Sequence, residues 1–313
     1  MRFHTRVPRS LLLMAAHFAD LTVVIATFDS ARFIEPTLAS AIRCKPAAIL
    51  VGDDASHDET RTIVRELAAQ AEVPIVLLAW QERVGLARNW NRTIARSATT
   101  FTLKLDHDDL IVAEYVQAAV QHLREDPRLG VIAGTAIDRL HPFGLEALSH
   151  VPIHYYTFRD LFGIEACRSV VAWSPYACSS STIYRTDVFR DVAGFDEKLT
   201  YCNDREIWFR IARCSGITYA DGPGAIVRLH PDNTTKALAR DERIPVEYDH
   251  MFLTASRLWP ESEVDAAFSC AYRRVAKNYL GSAVRLLWRR PWTVPWCLGR
   301  AGALLVHSFE RRF

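Results

Sequence analysis

The sequence predicts an α/β protein: a doubly wound, mainly parallel sheet with a helical tail behind it. Three observations predict it. Apolar, β-branched runs recur without the in-and-out alternation of a half-exposed sheet. Each is followed by a segment whose apolar residues have helical spacing. Polar residues collect just after the runs, where open parallel sheets bind their ligands.

The first run is "LTVVIATF" (21–28), and the polar Asp29 and Ser30 behind it can cap a helix carrying Phe33, Ile34, Leu38, Ala41 and Ile42 on one side. "AAILVGDD" (47–54) repeats the theme. Ser56 and Glu59 have the spacing of a capping box, so a helix presenting Ile63, Val64 and Leu67 should open there. "VPIVLLAW" (73–80), "GLARNWNRTIARSA" (85–98) and "FTLKLD" (101–106) read as strand, helix and strand. A helix from about Val112 to Glu125 and a strand at "GVIAGTAID" follow.

With 313 residues, half of them apolar, the chain can bury a sizeable core, and disorder is not its default. The net charge of +2 is unevenly placed. From Ala271 onward nine Arg or Lys face one acid, Glu310, a surplus of +8 that leaves −6 for the rest. An acidic body, and basic residues that recur among Trp288, Trp292, Trp296 and leucines, argue against a nucleic-acid partner. The same tail, interrupted by Pro291 and Pro295, reads as interfacial segments expected to rest on an anionic membrane surface in a salt-dependent way. Its plain alternative is a helical subdomain packed on the core or on a second copy of the chain. No run reaches the roughly 18 to 20 apolar residues of a membrane-spanning helix, so membrane contact is expected to be peripheral. Seven scattered cysteines give no zinc or disulfide spacing, which points to a reducing cytoplasm. Residues 1–20 place basic residues before a short apolar stretch without a small-residue cleavage site, and read as an uncleaved extension.

"FTLKLDHDDL" (101–110) crowds Asp106, Asp108 and Asp109 behind a buried run. Acids this close raise one another's pKa unless a cation or hydrogen-bond donors share them. Thr27 and Asp29, Asp53 and Asp54, and this cluster all follow strands, and should converge on one crevice. Singly, each reads most simply as a solvated or capping turn; together they read as a site. No G-x-G-x-x-G follows the first strand and no G-x-x-x-x-G-K-[ST] occurs, which removes the dinucleotide and P-loop modes of phosphate binding. Mg²⁺ or Mn²⁺ on Asp106 and Asp108 would meet a diphosphate instead.

"VVIATFDSARFIEPTLASAI", "LVGDDASHDET", "RVGLARNWN" and "LKLDHDDL", followed by "SSSTIYRTDVFRDVAGFDEKL", "NDREIWFRIA" and "IVRLHPDNTTK", resemble in order and spacing the inverting family 2 glycosyltransferases of the GT-A fold, of the bacterial cell-surface polysaccharide type. The resemblance runs from about Leu21 to Lys236. It implies a catalytic domain over 21–240, with a nucleotide-sugar half and an acceptor half, between the extension 1–20 and a basic helical region 241–313. It implies a nucleotide-sugar donor, commonly a UDP-sugar, a glycan or lipid-linked acceptor at the inner face of the cell membrane, and Mn²⁺ or Mg²⁺ as cofactor.

Residue by residue, the resemblance puts Thr27, Asp29 and Asp53 or Asp54 on the base and ribose, with Arg88 near the base or phosphates. It puts Asp106 at the ribose and metal, Asp108 on the metal, and His230 in the metal or diphosphate shell. Asp204 matches the general base, with Asn203, Glu206 and Trp208 on the acceptor side. The plain readings are a loop histidine for His230 and a helix N-cap for Asp204. Ala26, Phe28 and Asp29 stand where the family usually has proline, tyrosine and asparagine, Ala55 replaces a glycine and Asn203 an acid; Thr27 is retained. Asp109 is expected to cap the next helix, and His107 to point away from the chemistry. A catalytically inactive membrane-bound scaffold would keep the same fold and tail, whereas a phospho-accepting receiver domain would be far shorter and needs no Asp-x-Asp after a fourth strand.

Overall fold

The computed structural model describes residues 18–139, 144–151, 154–171, 177–231 and 233, with scattered positions between 246 and 302. Residues 1–17 and the tail tryptophans 288, 292 and 296 with their neighbouring arginines lie outside the described residues. Two compact units result, one bounded by Met1–Leu161, Pro175–Lys198 and Ser215–His230, the other by Phe162–Ser174, Leu199–Cys214 and Pro231–Phe313.

The first unit is built on a nine-stranded sheet. Its elements are β1 (Phe18–Thr27), α1 (Ile34–Arg43), β2 (Pro46–Asp53), α2 (Thr60–Gln70), β3 (Ile75–Ala79), α3 (Leu86–Ile94), β4 (Phe101–Lys104), β5 (Leu110–Ile111), α4 (Ala113–Glu125), β6 (Leu129–Arg139) and β7 (Thr157–Leu161). In the second unit, α5 (Gly163–Val171) packs on α7 (Asn203–Cys214), while β8 (Thr182–Arg185), α6 (Thr186–Asp191) and β9 (Gly216–Arg228) complete the first. The strand order is β3-β2-β1-β4-β8-β6-β9-β5, with β7 also on β9. β3, β2, β1 and β4 run parallel, and β8 turns the sheet antiparallel.

The unalternating runs are buried on both faces, as their composition requires: Leu21, Val23, Val24 and Ile25 of β1 and Ile49 and Val51 of β2 are sealed from solvent. α1 turns Ile34, Leu38 and Ala41 onto them. Gly52, next to last in β2, lies where a Cβ would collide with the side chains of Thr93 and Asn89, so only glycine lets α3 approach. β1 is flanked by β2 on one side and β4 on the other, which makes the carboxyl end of β1 a topological switch point. Register puts Thr27 beside Asp53 and Val24 beside Lys104. The three polar strand ends therefore open on one edge of the sheet.

Three local expectations are corrected. Phe18, Ala19 and Asp20 belong to β1, so the segment before the sheet is shorter than 1–20. Ser56 and Glu59 form no capping box: α2 begins at Thr60, whose N–H donates to Asp58, while Ser56 Oγ accepts the N–H of Asp29 at 2.9 Å. Nor do the side chains of Asp29 and Ser30 cap α1; the carbonyl of Ser30 accepts the N–H groups of Phe33 and Ile34. The side chains of Ser56, Asp29 and Ser30 instead join neighbouring strand-end loops. Among the described residues no helix is long and apolar enough to cross a membrane.

Candidate active site

The loop after β4 explains how three acids coexist. Asp106 Oδ1 accepts from Lys104 Nζ at 2.7 Å, and its Oδ2 from Ser180 Oγ at 2.8 Å. Asp108 Oδ2 lies 3.0 Å from Nε2 of His230, whose ring stacks on Phe33. Burial acts to raise the Asp108 pKa, but the His230 hydrogen bond and the charges of His107 and His230 outweigh it and hold Asp108 down at about 2. Asp109 is the opposite case: burial first, then the charges of Asp108 and Asp106, push it well above the usual carboxylate range.

Asp109 does not cap the next helix, as the sequence led us to expect; α4 starts at Ala113 without a side-chain cap. Instead Asp109 Oδ1 accepts the N–H of Arg228 at 3.1 Å, and Oδ2 pairs with the Ser180 hydroxyl that also serves Asp106. One hydroxyl proton cannot serve two ionised carboxylates at once, and burial with the charges of Asp108 and Asp106 favours the protonated form of Asp109. A carboxyl whose folded pKa is raised adds stability fully present below about pH 4 and lost as pH rises through the folded value. Asp109→Asn, which keeps a donor without the titration, should therefore gain in melting temperature over the native protein as pH rises above about 4. A difference that stays flat with pH would remove the proton from Asp109. His107 Nδ1 lies 2.9 Å from Ser30 Oγ, in the loop after β1.

The ends of β1 and β2 separate the roles of the two adjacent acids. Asp54 accepts the N–H groups of Val84 (2.7 Å) and Gly85 (2.9 Å), tying down the loop ahead of α3. Asp53 is sealed, with Oδ1 on the Arg61 guanidinium and on the N–H of Ser56 at 3.1 Å. Its Oδ2 and the neighbouring Thr27 Oγ1 are buried without a hydrogen-bond partner. Asp29 takes a left-handed backbone (φ 45°), which Asp and Asn tolerate best, and accepts the N–H of His57 at 2.7 Å. Arg88 is engaged elsewhere: its Nε donates to Glu197 at 2.7 Å.

In the second unit, Asp204 stands in the first turn of α7, half-buried, with Oδ1 accepting the N–H of Arg205 at 2.8 Å. Asn203, Glu206 and Trp208 are buried, and both oxygens of Glu206 are held by Arg210. The approach to this helix is fixed by Glu247, whose Oε2 accepts from the backbone N–H groups of Thr200, Tyr201 and Cys202 at 2.6 to 3.0 Å. Such a row of converging N–H groups is an anion-binding nest.

Sequence reasoning missed Lys104, Ser180, Arg61, Arg228 and Glu247. Arg228 is fully buried, with its guanidinium on the carbonyls of Asp108 and Phe33. Lys104 carried a visible signal, a cation inside an apolar strand; Glu247 carried none.

Among the described residues no three His, Cys, Asp or Glu side chains converge as a metal site. The donor chemistry of Asp108 with His230, a hard carboxylate beside an imidazole, nonetheless suits Mn²⁺ or Mg²⁺ completed by water and phosphate oxygens. Asp106 fits less directly, because both its oxygens already accept from protein donors.

An open sheet with polar strand ends at its switch point and an Asp-x-Asp loop behind β4 is the arrangement the sequence led us to expect of a GT-A glycosyltransferase. The family model described as "Glycosyl transferase family 2" matches residues 22–193, more than half of the chain, and the chain belongs to this family. It is 24% identical over 116 residues to the poly-beta-1,6-N-acetyl-D-glucosamine synthase of Staphylococcus aureus (strain COL), a stretch covering 36% of this chain and 28% of that protein. An uncharacterized glycosyltransferase of Rickettsia prowazekii (strain Madrid E) is 21% identical over 219 residues, 69% of this chain and 65% of its own length. The chain thus matches less than two thirds of either relative.

Among solved structures, S. aureus TarS 1–349 in complex with UDP-GlcNAc matches with a TM-score of 0.56 at 16% identity, covering 93% of this chain and 89% of that one. Mannosyltransferase PcManGT from Pyrobaculum calidifontis, in complex with GDP-Man and Mn²⁺, gives 0.57 at 18%, covering 94% and 90%. At these identities the likeness establishes the GT-A fold expected from the sequence.

Proposed function

We propose that this chain transfers a sugar, with inversion, from a nucleoside-diphosphate sugar to a hydroxyl of a glycan or lipid-linked acceptor in the making of a cell-surface polysaccharide. The observation that carries the reading is the pair of buried, unpartnered oxygens, Asp53 Oδ2 and Thr27 Oγ1, on register partners at the switch point. Leaving a buried acceptor unsatisfied costs about 1–3 kcal/mol, which a scaffold has no reason to retain. A base with a ring N–H answers the Asp53 oxygen, and uracil and guanine both offer one. UDP is the donor nucleotide of choice here, in keeping with the UDP-GlcNAc carried by TarS and the glucosamine polymer named in the S. aureus relative.

Within that reading Asp53 orients the base while Asp54 shapes the wall behind it through Val84 and Gly85. Asp108 and His230 would hold a divalent cation, which when bound offsets the charge developing on the departing phosphate oxygen. Asp204 takes the proton from the acceptor hydroxyl; a single displacement needs that one base and no protein nucleophile.

Thermal-shift measurements with UDP, GDP, CDP, ADP and dTDP, each with and without Mn²⁺, test the donor assignment. UDP with Mn²⁺ should give the largest rise, since a ligand at about a hundred times its Kd adds roughly 2.7 kcal/mol to stability. A larger rise with GDP would reassign the base, and no rise with any of the five would overturn the reading.

A further inference from the structure

We infer that Lys104 is a positioning residue of the donor site, pinning Asp106 and holding a fixed positive charge that biases the site toward a metal–diphosphate over the bare metal. The inference rests on the nucleotide-sugar reading above. Lys104 closes β4, paired with Val24 on one side and Thr182 on the other, and its side chain is only 3% exposed. Its ammonium donates to Asp106 Oδ1 and to Ser179 Oγ, both at 2.7 Å, and lies 4.4 Å from the ring centroid of the buried Trp90.

A lysine is almost never this buried unless its charge is answered, and here a carboxylate, a hydroxyl and an aromatic face answer it. An apolar residue would serve the core of the strand equally well. What the cation adds is control of Asp106, whose other oxygen accepts from Ser180 at 2.8 Å. Strand and 3₁₀ turn (Ser179–Ser181) thus grip the carboxylate from both sides.

Two consequences have opposite signs. A fixed positive charge beside Asp106 repels a divalent cation that arrives alone at Asp108. The same charge, and the carboxylate it orients, favour a nucleoside diphosphate that brings the cation with it, because that species is negative overall. A purely structural lysine would have neither effect on binding.

The test is Lys104→Met in the full chain, with Mn²⁺ binding alone followed by electron paramagnetic resonance and binding of UDP and GDP at saturating Mn²⁺ followed by calorimetry. We expect Mn²⁺ alone to bind about five- to tenfold tighter, and the preferred nucleotide about tenfold weaker. Constants that stay within twofold, or that weaken together, overturn the inference. Ser180→Ala removes the second hold on Asp106 without changing charge, and keeps the test standing if Lys104→Met fails to fold. It should weaken nucleotide binding and leave the Mn²⁺ constant in place, and unchanged nucleotide binding would again overturn the inference. If the native protein itself binds neither nucleotide, the donor-site reading fails, a result distinct from any behaviour of the variants.

Discussion

Asp204→Asn should lower turnover by roughly 10² to 10⁴ while sugar-nucleotide binding survives. The side chain is nearly unchanged in shape, and an amide oxygen can still accept the N–H of Arg205, so the start of α7 is preserved. What disappears is the capacity to take a proton. Its neighbours offer no substitute: Glu206 is buried with both oxygens on Arg210, and Asn203 has no basic group. If Asp204 served only to stabilise the first turn of α7, the change would cost at most about 1 kcal/mol of stability and leave the rate near normal. Steady-state transfer rates, read beside a donor titration, separate the two. Near-normal turnover would sink the assignment. Loss of rate together with loss of donor binding would place Asp204 in binding and sink it equally.

The sheet was legible because its signal is chemical monotony. Runs such as Val23–Ala26 and Ile49–Val51 have no polar face to offer solvent, so they announce a sheet covered on both sides, and the polar residues behind them mark the binding edge. What the sequence concealed was which polar atoms are already spent. Asp53 and Asp54 are adjacent and chemically alike, yet one closes on Val84 and Gly85 while the other keeps an unpartnered oxygen. Only the path of the loop after β3 decides between them. Asp109 likewise looked like a cap because caps are local and sequence-near, whereas its true partners, Ser180 and Arg228, are 71 and 119 residues away. The same distance hides Glu247, 45 residues from the nearest backbone N–H it binds. Long-range hydrogen bonds leave no spacing to read.

Asp108→Asn should be the second most damaging change, with roughly 10² to 10³ lost in turnover and a matching fall in apparent Mn²⁺ affinity. The argument is one of elimination among three acids. Asp109 is pushed toward its protonated form by burial and by its acidic neighbours, and Asp106 is answered by the Lys104 ammonium. Asp108 is held ionised down to about pH 2, and its partner is an imidazole, a side chain that can itself bind a metal. The charge that a cation would meet is therefore mainly that of Asp108. Because its folded pKa is depressed, the ionised form adds stability above its unfolded pKa near 4, which is lost as pH falls toward 2. The native protein should accordingly melt above Asp108→Asn at pH 7, and the gap should close over that acid range. Asp106→Asn, made in parallel, is the control that gives the comparison its meaning. With Lys104 and Ser180 already on its oxygens, Asp106 should affect nucleotide binding more than metal affinity. Equal loss of Mn²⁺ affinity in both variants would show that the two carboxylates act as one ligand pair, and that the grip on Asp106 does not set them apart.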